Sequence, residues 1–553
     1  MKLKFICLLL VTSSLLIRCQ TPQSMPREVE QWKEAEFTFT SISNYGNPYT
    51  DVEFWVEFTD KDGTILVRPG YWEKLNVWKV RFASPIANSE WTWKSFASNE
   101  SDSGLHGKSG KINTVAYKGA NQLIKNGLLK MSPGKRNVMH ANGKPFLMIG
   151  DTPWALPWRG TYETVKTYAQ NRQERGFNTA LLMSLMPDRG VVGPRSRTEE
   201  GGFDVAFEDL KDGHINEINP DYFLYLDSLQ NILIHHSIVP VFQPVFHGFG
   251  WKGKNLLGWD MDKQEYARYC KYLVARYGAE PAMWLVSGDG DGRLPGVLEG
   301  GEAIEKWDVY QQPTGIHYSP FCSVIPEWWD KPFEYVPHEN KIHQDKDWLD
   351  FQWCQTGHDG DHQTWKVIKM HHNLPVKASA NGEPTYEGIR DPDNGAGWWQ
   401  GHEAWLNFMS GGTMGVVYGA GGLWNWKLSG DEAGWADWAN SNVSWAEAIE
   451  LPGALYVGYI GKAIKGIDIS DIEKHPELAE GALCLAKPGE LFIIYLPEGG
   501  SVVVDQIPKN GTYKWFDPKE GEFVSEGKIN SMKEKFTTPL NDSSVLLIEK
   551  NTF

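Results

Sequence analysis

The sequence predicts an α/β fold, a (β/α)8 TIM barrel with a β-sandwich on either side. Between about residue 145 and residue 425, short apolar runs alternate with amphipathic stretches, which is the pattern of repeated β/α units. Eight such units over roughly 280 residues match a TIM barrel, whose usual size is about 250 residues. On both sides of this region, short runs of alternating apolar and polar residues are typical of antiparallel sandwiches.

The N-terminal sandwich is predicted over residues 26–115. Its strand candidates are separated by turn signals such as Lys61-Asp62-Gly63. They are FTFTSI, DVEFWVEFTD, TILVRPGYW, VWKVRFAS and EWTWKSFAS.

The barrel is predicted over residues 125–465. Its strand candidates are FLMIGD (146–151), NTALLMSL (178–185), VPVFQPVF (239–246), MWLVSGD (283–289), TGIHYS (314–319), WLDFQWC (348–354), PVKASA (375–380) and MGVVYG (414–419). Helices are predicted at TYETVKTYAQNRQERGF, NPDYFLYLDSLQNILIHHS, DKQEYARYCKYLVARYG and GEAIEKWDVYQQ. A doubly wound open sheet is the alternative, but no G-x-G-x-x-G follows the first strand.

A second, smaller sandwich is predicted over residues 466–553, where the helical pattern ends. Its strand candidates are ALCLAKP, LFIIYLP, SVVVDQ, YKWFDP and SVLLIEK.

The first 18 residues have the layout of an export signal. Lys2 and Lys4 precede an apolar run from Phe5 to Ile17 that is too short to span a membrane. Cys19 and a polar stretch follow, as in a bacterial lipoprotein whose cysteine is lipidated. Arg18 stands where such signals usually have a small residue, so plain secretion is the alternative. We expect a cell-surface, outer-membrane or periplasmic location, with membrane contact only through a lipid on Cys19.

The composition excludes some partners and favours others. The net charge of −16 argues against nucleic acid, which needs a basic surface. The chain has 26 Trp, 21 Tyr and 24 Phe; such rings offer flat apolar faces to sugar rings. The cysteines beyond the signal show no C-x-x-C spacing, so neither a disulfide framework nor a zinc site is expected.

Polar and aromatic residues at the strand ends are the candidate site, because a TIM barrel carries its chemistry at the carboxyl ends of its strands. We expect Trp154, Trp251, Tyr386 and Trp424 to line a pocket. The candidates in chain order are Asp151, Trp154, His247, Trp251, Asp289, His317, Gln355, His358, Glu383, Tyr386, Tyr418 and Trp424.

Two carboxylates stand out among these candidates, Asp289 after the fourth strand and Glu383 after the seventh. In the stretch VKASANGEPTYEGIR (376–390), Asn381-Gly382 predicts a turn that ends the strand just before Glu383. Pro384 would restrict the backbone there, and Tyr386 could donate a hydrogen bond to the carboxylate. A retaining glycosidase needs two such groups about 5–5.5 Å apart.

Seven short motifs in order resemble the apiosidase-like barrel family, glycoside hydrolase family 140. They are G-D-T-P-W (150–154), R-G-F-N (175–178), N-P-D-Y-F (219–223), W-L-V-S-G-D (284–289), Q-T-G-H (355–358), G-E-P-x-Y-E (382–387) and Y-G-A-G-G-L-W-N-W (418–426). The resemblance covers roughly residues 125–465 and implies the same fold. The flanking regions resemble the family's N-terminal sandwich and its C-terminal sandwich, which is labelled collagen-binding; that label is no evidence for collagen.

The resemblance implies a glycosidase with Asp289 as acid/base and Glu383 as nucleophile, acting on an oligo- or polysaccharide of plant or algal origin. The chain departs from the family at Ser287, where glycine is more usual, and at Ala420-Gly421, where a histidine is usual.

Other function classes have less support. A catalytically silent carbohydrate-binding or adhesion protein on a barrel scaffold is the main alternative. A polysaccharide lyase would need a basic cluster at the strand ends, and a serine hydrolase would need G-x-S-x-G. GHDGDHQTW (357–365) and DPDNGAG (391–397) lack the ligand spacing of zinc and calcium sites. We therefore expect no metal and no cofactor.

A substitution at Cys19 tests the lipid anchor. If Cys19 is acylated in its native host, Cys19→Ala should move the protein from the membrane fraction to the soluble fraction, measured by fractionation and immunoblotting. Cys484→Ala, which leaves the signal intact, is the control. Unchanged membrane association of Cys19→Ala would contradict lipidation.

Overall fold

A computed structural model describes residues 28–187, 189, 205–248, 256–259, 261–290, 292–318, 340–358, 360–389, 397–432 and 441–551. Cys19, Trp251 and the predicted signal lie outside these ranges. Among the described residues, no helix is both long and apolar enough to cross a bilayer.

The N-terminal region forms a sandwich of a five-stranded and a three-stranded sheet, as predicted. Alternation explains the sheets: in Phe54–Asp60 and Ser89–Ala97 every second side chain is buried between the layers. The predicted segment 64–72 is two strands, which separate at Gly70. The strands are β1 (Glu28–Glu30), β2 (Ala35–Thr40), β3 (Phe54–Asp60), β4 (Ile65–Pro69), β5 (Tyr71–Lys74), β6 (Val77–Phe82), β7 (Ser89–Ala97) and β8 (Ser109–Val115), with the short helix α1 (Pro48–Asp51).

A short connecting region leads into the barrel. It consists of helix α2 (Gln122–Asn126) and a three-stranded antiparallel sheet of β9 (Leu129–Met131), β10 (Val138–His140) and β11 (Pro145–Phe146).

The central region is an eight-stranded sheet in which each neighbouring pair is parallel. All eight predicted strands are present. Nearly every strand residue is buried, because helices cover the sheet outside and side chains fill it inside. The strands are β12 (Met148–Asp151), β13 (Thr179–Met183), β14 (Val239–Gln243), β15 (Met283–Gly290), β16 (Thr314–Tyr318), β17 (Phe351–Gln355), β18 (Ala378–Glu383) and β19 (Gly415–Tyr418).

The three longest of the described barrel helices begin at side chains that cap their first turns. Thr161, Asn219 and Asp262 each accept a hydrogen bond from the backbone of the helix that follows. The helices are α3 (Leu156–Arg159), α4 (Tyr162–Glu174), α5 (Pro220–His235), α6 (Lys263–Tyr277), α7 (Val297–Trp307), α8 (Trp365–His371), α9 (Trp398–Met409), α10 (Trp445–Ala448) and α11 (Gly453–Ile464).

The prediction of a helix over 301–312 was partly wrong, since α7 begins at Val297 and ends at Trp307. The chain turns there because the buried Asp308 carboxylate accepts hydrogen bonds from the indole of Trp284 (2.9 Å) and from the backbone of Gln312 (3.3 Å).

The barrel is closed by a short seam between β18 and β19, which have no ladder of their own. At the amino end, Met414 N–H donates to the Ser379 carbonyl (3.3 Å). At the carboxyl end, Glu387 N–H donates to the Gly419 carbonyl (3.0 Å) and Gly421 N–H donates to the Glu387 carbonyl (2.8 Å). The seam therefore fixes the segment that follows Glu383.

A buried ion pair lies beside this seam. The side chains of Asp151 and Arg172 are fully inaccessible and their charged atoms are 2.5 Å apart. The Tyr168 hydroxyl donates to the same Asp151 carboxylate (3.0 Å), and Arg172 also donates to the Ile449 carbonyl (3.0 Å). The pair therefore joins β12, α4 and the segment before α11.

The C-terminal region is the second predicted sandwich, a six-stranded sheet on a three-stranded sheet. Tyr495 joins it to α9, stacking on Trp405 at 5.7 Å and hydrogen-bonding His402 at 2.7 Å. Its strands are β20 (Glu473–Lys474), β21 (Ala479–Glu480), β22 (Leu483–Lys487), β23 (Leu491–Leu496), β24 (Ser501–Asp505), β25 (Thr512–Asp517), β26 (Glu522–Lys528), β27 (Lys533–Thr537) and β28 (Ser544–Glu549).

The N-terminal sandwich is joined to the barrel by ionic contacts. Arg81 of β6 pairs with Asp227 of α5 (2.9 Å), and Asp227 also pairs with Arg276 of α6 (2.7 Å). Both flanking sandwiches thus pack on barrel helices.

Removal of Asp151 tests the buried ion pair. Asp151→Ala would leave Arg172 charged and buried, so the free energy of unfolding should fall by about 3–5 kcal/mol. Thermal unfolding followed by circular dichroism measures this loss. Asp505→Asn is the control: its pair with Lys533 is exposed and screened by solvent, so its loss should change the free energy of unfolding very little. Equal midpoints for the two variants would contradict a stabilising role of the pair.

Candidate active site

Four neighbouring barrel strands bring polar side chains together at the carboxyl end of the barrel. Asp289 lies on β15, His317 on β16, Gln355 on β17 and Glu383 on β18. All four were predicted from the sequence as strand-end residues.

Asp289 is aimed by an irregular strand end. The pairing of β15 with β16 shifts register after Leu285 and again after Ser287, and such bulges redirect side chains. Asp289 has a φ of 53°, in the left-handed region that aspartate tolerates better than most residues. Gly288 has no room for a side chain, because a Cβ there would meet the Gln243 side chain at 1.7 Å.

Glu383 is the last residue of a buried strand, not a residue of a turn. The prediction of a turn at Asn381-Gly382 was wrong: both residues continue β18. Gly382 is required there because the ring of Trp353 on β17 packs against its backbone, with a Cβ position only 2.7 Å from Trp353 Cβ. The Asn-Gly pair reflects tight packing inside the barrel.

The two carboxylates lie close together with an imidazole between them. One oxygen of Asp289, one oxygen of Glu383 and a ring nitrogen of His317 are all within 4.8 Å of one another. His317 Nδ1 is 3.4 Å from Asp289 Oδ1, and Nε2 is 3.6 Å from Glu383 Oε2. Gln355 Nε2 donates to Asp289 Oδ1 at 3.2 Å. The imidazole therefore faces each carboxylate with a different nitrogen.

His358 faces the other oxygen of Glu383, with Nε2 3.6 Å from Oε1. Its Nδ1 accepts a hydrogen bond from the Tyr386 backbone N–H (3.2 Å), so in the neutral ring the proton is on Nε2 and points to the carboxylate. Among the described residues, the Tyr386 hydroxyl makes no hydrogen bond to Glu383, contrary to the prediction, and it accepts one from the indole of Trp154 (2.9 Å).

The surroundings move the two carboxyl pKa values in opposite directions. Burial, with the nearby Glu383 charge, holds the pKa of Asp289 well above its usual range. Burial also acts to raise the pKa of Glu383, but its polar contacts with His358, His317 and Gln355 outweigh it, and the pKa is lowered. Burial lowers the pKa of His317. Near neutral pH, one carboxyl therefore tends to be protonated and the other ionised.

The aromatic candidates form the wall behind the site. Trp154, Tyr386 and Trp424 are 3%, 1% and 4% exposed, so the expectation of open sugar-stacking faces fails for these three rings. Trp154 still contacts the site, since its ring lies 5.9 Å from that of His317. Trp251 is outside the described residues.

Two further candidates belong to the barrel framework. Asp151 is wholly engaged by Arg172 and Tyr168, and Tyr418 is buried and donates to Glu387 at 2.7 Å. Glu387 also accepts from the backbone of Gly453 (2.9 Å). The substrate-binding prediction for Asp151 and Tyr418 is therefore corrected: both serve buried structural contacts.

His247 is buried directly behind the Asp289 strand end. Its backbone N–H donates to the Gly288 carbonyl (3.0 Å), and its ring packs edge-on against Tyr266. It supports the backbone before Asp289.

Sequence reasoning missed Glu403 on α9. Its carboxyl contacts Thr356 and Thr385, next to Gln355 and two residues after Glu383 respectively. The one possible signal is a glutamate on the buried face of a helix. The sequence pattern does not show which buried residues such a glutamate contacts.

The chain's family follows from its sequence. The family described as "Apiosidase-like, catalytic domain" matches residues 132–471. The chain belongs to this apiosidase-like family. A domain of unknown function, DUF5060, matches residues 28–98, and no curated protein matches the chain.

Solved structures share the fold of this apiosidase-like chain. A glycoside hydrolase is 19% identical with a TM-score of 0.61, over 77% of this chain and 98% of its own. A family 5 glycoside hydrolase from Bacteroides vulgatus ATCC 8482 is 20% identical with a TM-score of 0.60, over 77% and 94%. A candidate glycoside hydrolase from the same organism is 16% identical with a TM-score of 0.66, over 95% and 99%. Family and fold together support a glycosidase.

Loss of the His358 side chain tests the electrostatics of Glu383. His358→Ala should raise the pKa of Glu383, so the acid limb of the kcat/KM profile against pH should move to higher pH. The exposed His214, bound to Glu265, provides the control variant His214→Ala. An unmoved acid limb in His358→Ala would show that His358 does not control this carboxylate.

Proposed function

We propose that the protein is a retaining glycoside hydrolase in which Glu383 is the nucleophile and Asp289 the acid/base. The observation that carries this proposal is the close carboxyl pair, with oxygens within 4.8 Å of each other. Retaining enzymes have carboxyl groups about 5–5.5 Å apart, whereas inverting enzymes separate them by about 6.5–9.5 Å to admit a water. The opposite pKa directions support separate roles for the two groups.

In the first step, Glu383 attacks the anomeric carbon while Asp289 gives its proton to the leaving oxygen. The bond from the anomeric carbon to that oxygen breaks, and a glycosyl-enzyme ester forms at Glu383. His358 and His317 stabilise the ionised Glu383 beforehand. Gln355 holds the Asp289 carboxyl near both the nucleophile and the leaving group.

In the second step, Asp289 takes a proton from water, which attacks the anomeric carbon and releases Glu383. Asp289 ionises more readily in this step, because Glu383 is now an ester. It no longer carries the negative charge that raises the pKa of Asp289.

The pH dependence follows from the two pKa directions. The lowered pKa of Glu383 means that activity is lost as pH falls through it, when the nucleophile becomes protonated. The raised pKa of Asp289 means that activity is lost as pH rises through it, when the acid loses its proton. A bell-shaped kcat/KM profile is expected.

We infer an oligo- or polysaccharide substrate of plant or algal origin, with apiose-containing glycans the first to test because of the family's name. Export and a lipid anchor on Cys19 would bring the enzyme to such polymers outside the cell. The alternative, a catalytically silent carbohydrate-binding protein, has no need for two neighbouring carboxyl groups with opposed pKa shifts.

Paired variants separate the two roles. Glu383→Ala should lower kcat/KM on the order of 10³-fold or more on every cleaved substrate, about 4 kcal/mol of barrier. Asp289→Ala should still form the glycosyl-enzyme from a substrate with an activated leaving group, and added azide should restore its turnover.

The anomeric configuration of the first product, followed by proton NMR, completes the test. Retention is expected. An inverted product, or near-normal turnover by Glu383→Ala, would exclude Glu383 as nucleophile, and a wild-type protein that binds glycans without cleaving any would favour the silent alternative.

A further inference from the structure

Glu403 is a buried carboxyl that the two-step reaction does not use. It lies on α9 with no solvent exposure. Its Oε1 is 2.8 Å from the Thr356 hydroxyl, and its Oε2 accepts the Thr385 backbone N–H at 3.0 Å. In the described part of the chain, the hydrogen-bond partners of this carboxyl are these two threonines, and the Thr385 hydroxyl also lies 3.4 Å from Oε1. Glu403 thus connects the ends of β17 and β18.

The amide of Asn381 determines how the hydrogens of this group are arranged. One end of the amide is 3.1 Å from Thr356 Oγ1, and the other end faces the carbonyl oxygens of Glu383 (3.1 Å) and Cys354 (3.2 Å). An amide oxygen placed between two carbonyl oxygens would be repelled. The amide nitrogen must therefore face the carbonyls, to which it donates, and the amide oxygen must face Thr356.

Thr356 has only one hydroxyl proton to give. If Asn381 Oδ1 faces Thr356, the hydroxyl donates to that oxygen. The same hydroxyl cannot also donate to Glu403, so the 2.8 Å contact needs its proton from Glu403. An ionised Glu403 would instead accept the hydrogen bond of the Thr356 hydroxyl, which would leave Asn381 Oδ1 without a donor.

We propose that Glu403 is held as a neutral acid and is a positioning residue for the nucleophile. Its proton is the first in a series of hydrogen bonds that all point the same way. Glu403 donates to Thr356, Thr356 donates to Asn381, and Asn381 donates to the backbone carbonyls of Glu383 and Cys354. Thr356 N–H also donates to the Glu383 carbonyl (3.2 Å). This series of hydrogen bonds therefore fixes the backbone that carries Glu383.

The charges around Glu403 agree with the neutral form. Burial, opposed by the hydrogen bonds of Thr356 and Thr385 and aided by the Asp361 charge, raises the pKa of Glu403 to about 7. The ammonium of Lys366 on α8 donates to the Gln355 carbonyl (2.8 Å). Because this pKa exceeds the value of a glutamate in the unfolded chain, stability should fall as pH rises from about 4.5 towards 7.

Glu403→Gln separates the two proton states. A glutamine can donate to Thr356 and accept from Thr385 N–H, which copies the neutral acid and not the carboxylate. The thermal midpoint of Glu403→Gln should therefore equal that of wild type at pH 5 and exceed it at pH 8, where wild-type Glu403 is forced to ionise. A lower midpoint than wild type at pH 5 would overturn the neutral form.

Glu265 on α6 provides a matched control with the opposite expectation. It is a buried barrel-helix glutamate whose oxygens accept from Ile215 N–H (3.0 Å) and Asn216 Nδ2 (2.7 Å) and lie 3.0 Å from His214 Nδ1. Ile215 N–H and Asn216 Nδ2 are both donors, and each faces a different oxygen of Glu265. In Glu265→Gln, the amide nitrogen would therefore face a donor in either orientation of the amide. Glu265→Gln should lower the midpoint at both pH values.

The positioning role needs a kinetic readout, and this part rests on the function proposed above for Glu383. Thr356→Val removes the relay hydroxyl at nearly constant volume and should lower kcat on the order of 10- to 100-fold with KM nearly unchanged. Glu403→Gln should retain wild-type kcat at pH 5. Normal kcat in folded Thr356→Val would overturn the positioning role. If wild type cleaves no glycan, the proposed function fails, while the midpoint comparison still decides the proton state.

Discussion

Closure of the eight-stranded barrel is the constraint on which the site depends. Seven pairs of neighbouring strands are joined by parallel ladders, but β18 and β19 meet only through a few backbone hydrogen bonds. Glu387 makes the contact at the carboxyl end, with Gly419 and Gly421. Because Glu387 follows Glu383 by four residues, the bond that closes the barrel also limits where the nucleophile candidate can lie.

The seam is stable because its polar groups are satisfied. The Glu387 carboxylate accepts from Tyr418 and from two backbone N–H groups, those of Gly397 and Gly453. An unpaired buried carboxylate would cost several kcal/mol. The same demand explains the Asp151–Arg172 pair on the neighbouring strand. Both Glu387 and Asp151 are engaged by buried partners and support the framework.

Asp289 and Glu383 differ from Asp151, which is paired with Arg172, in what surrounds them. Neither has a cationic Arg or Lys among the partners described here; their neighbours are Gln355, His317 and His358. Imidazoles and an amide can adjust a carboxyl pKa without fully neutralising the group. A pair of neighbouring acids with unequal pKa values is the result, which is the arrangement that the proposed acid/base and nucleophile roles require.

The sequence by itself determined the fold class, the eight barrel strands and the position of Asp289 and Glu383 at strand ends. These follow from local patterns: hydrophobic runs of strand length, helices of period 3.6, and polar residues directly after strands. The motifs of 284–289 and 382–387 also pointed to the same pair.

Only the tertiary structure decided what each polar strand-end residue touches. Asp151 and Glu383 both end a strand, but Arg172 arrives at the first from α4, 21 residues away, while the second faces two histidines. Asn381-Gly382 is locally typical of a turn, yet Trp353 on the neighbouring strand β17 requires a glycine inside the barrel. Glu403 became visible only because α9 packs under the ends of β17 and β18. The role of each of these residues depends on its burial and on partners that are distant in the sequence, and the local sequence predicts neither.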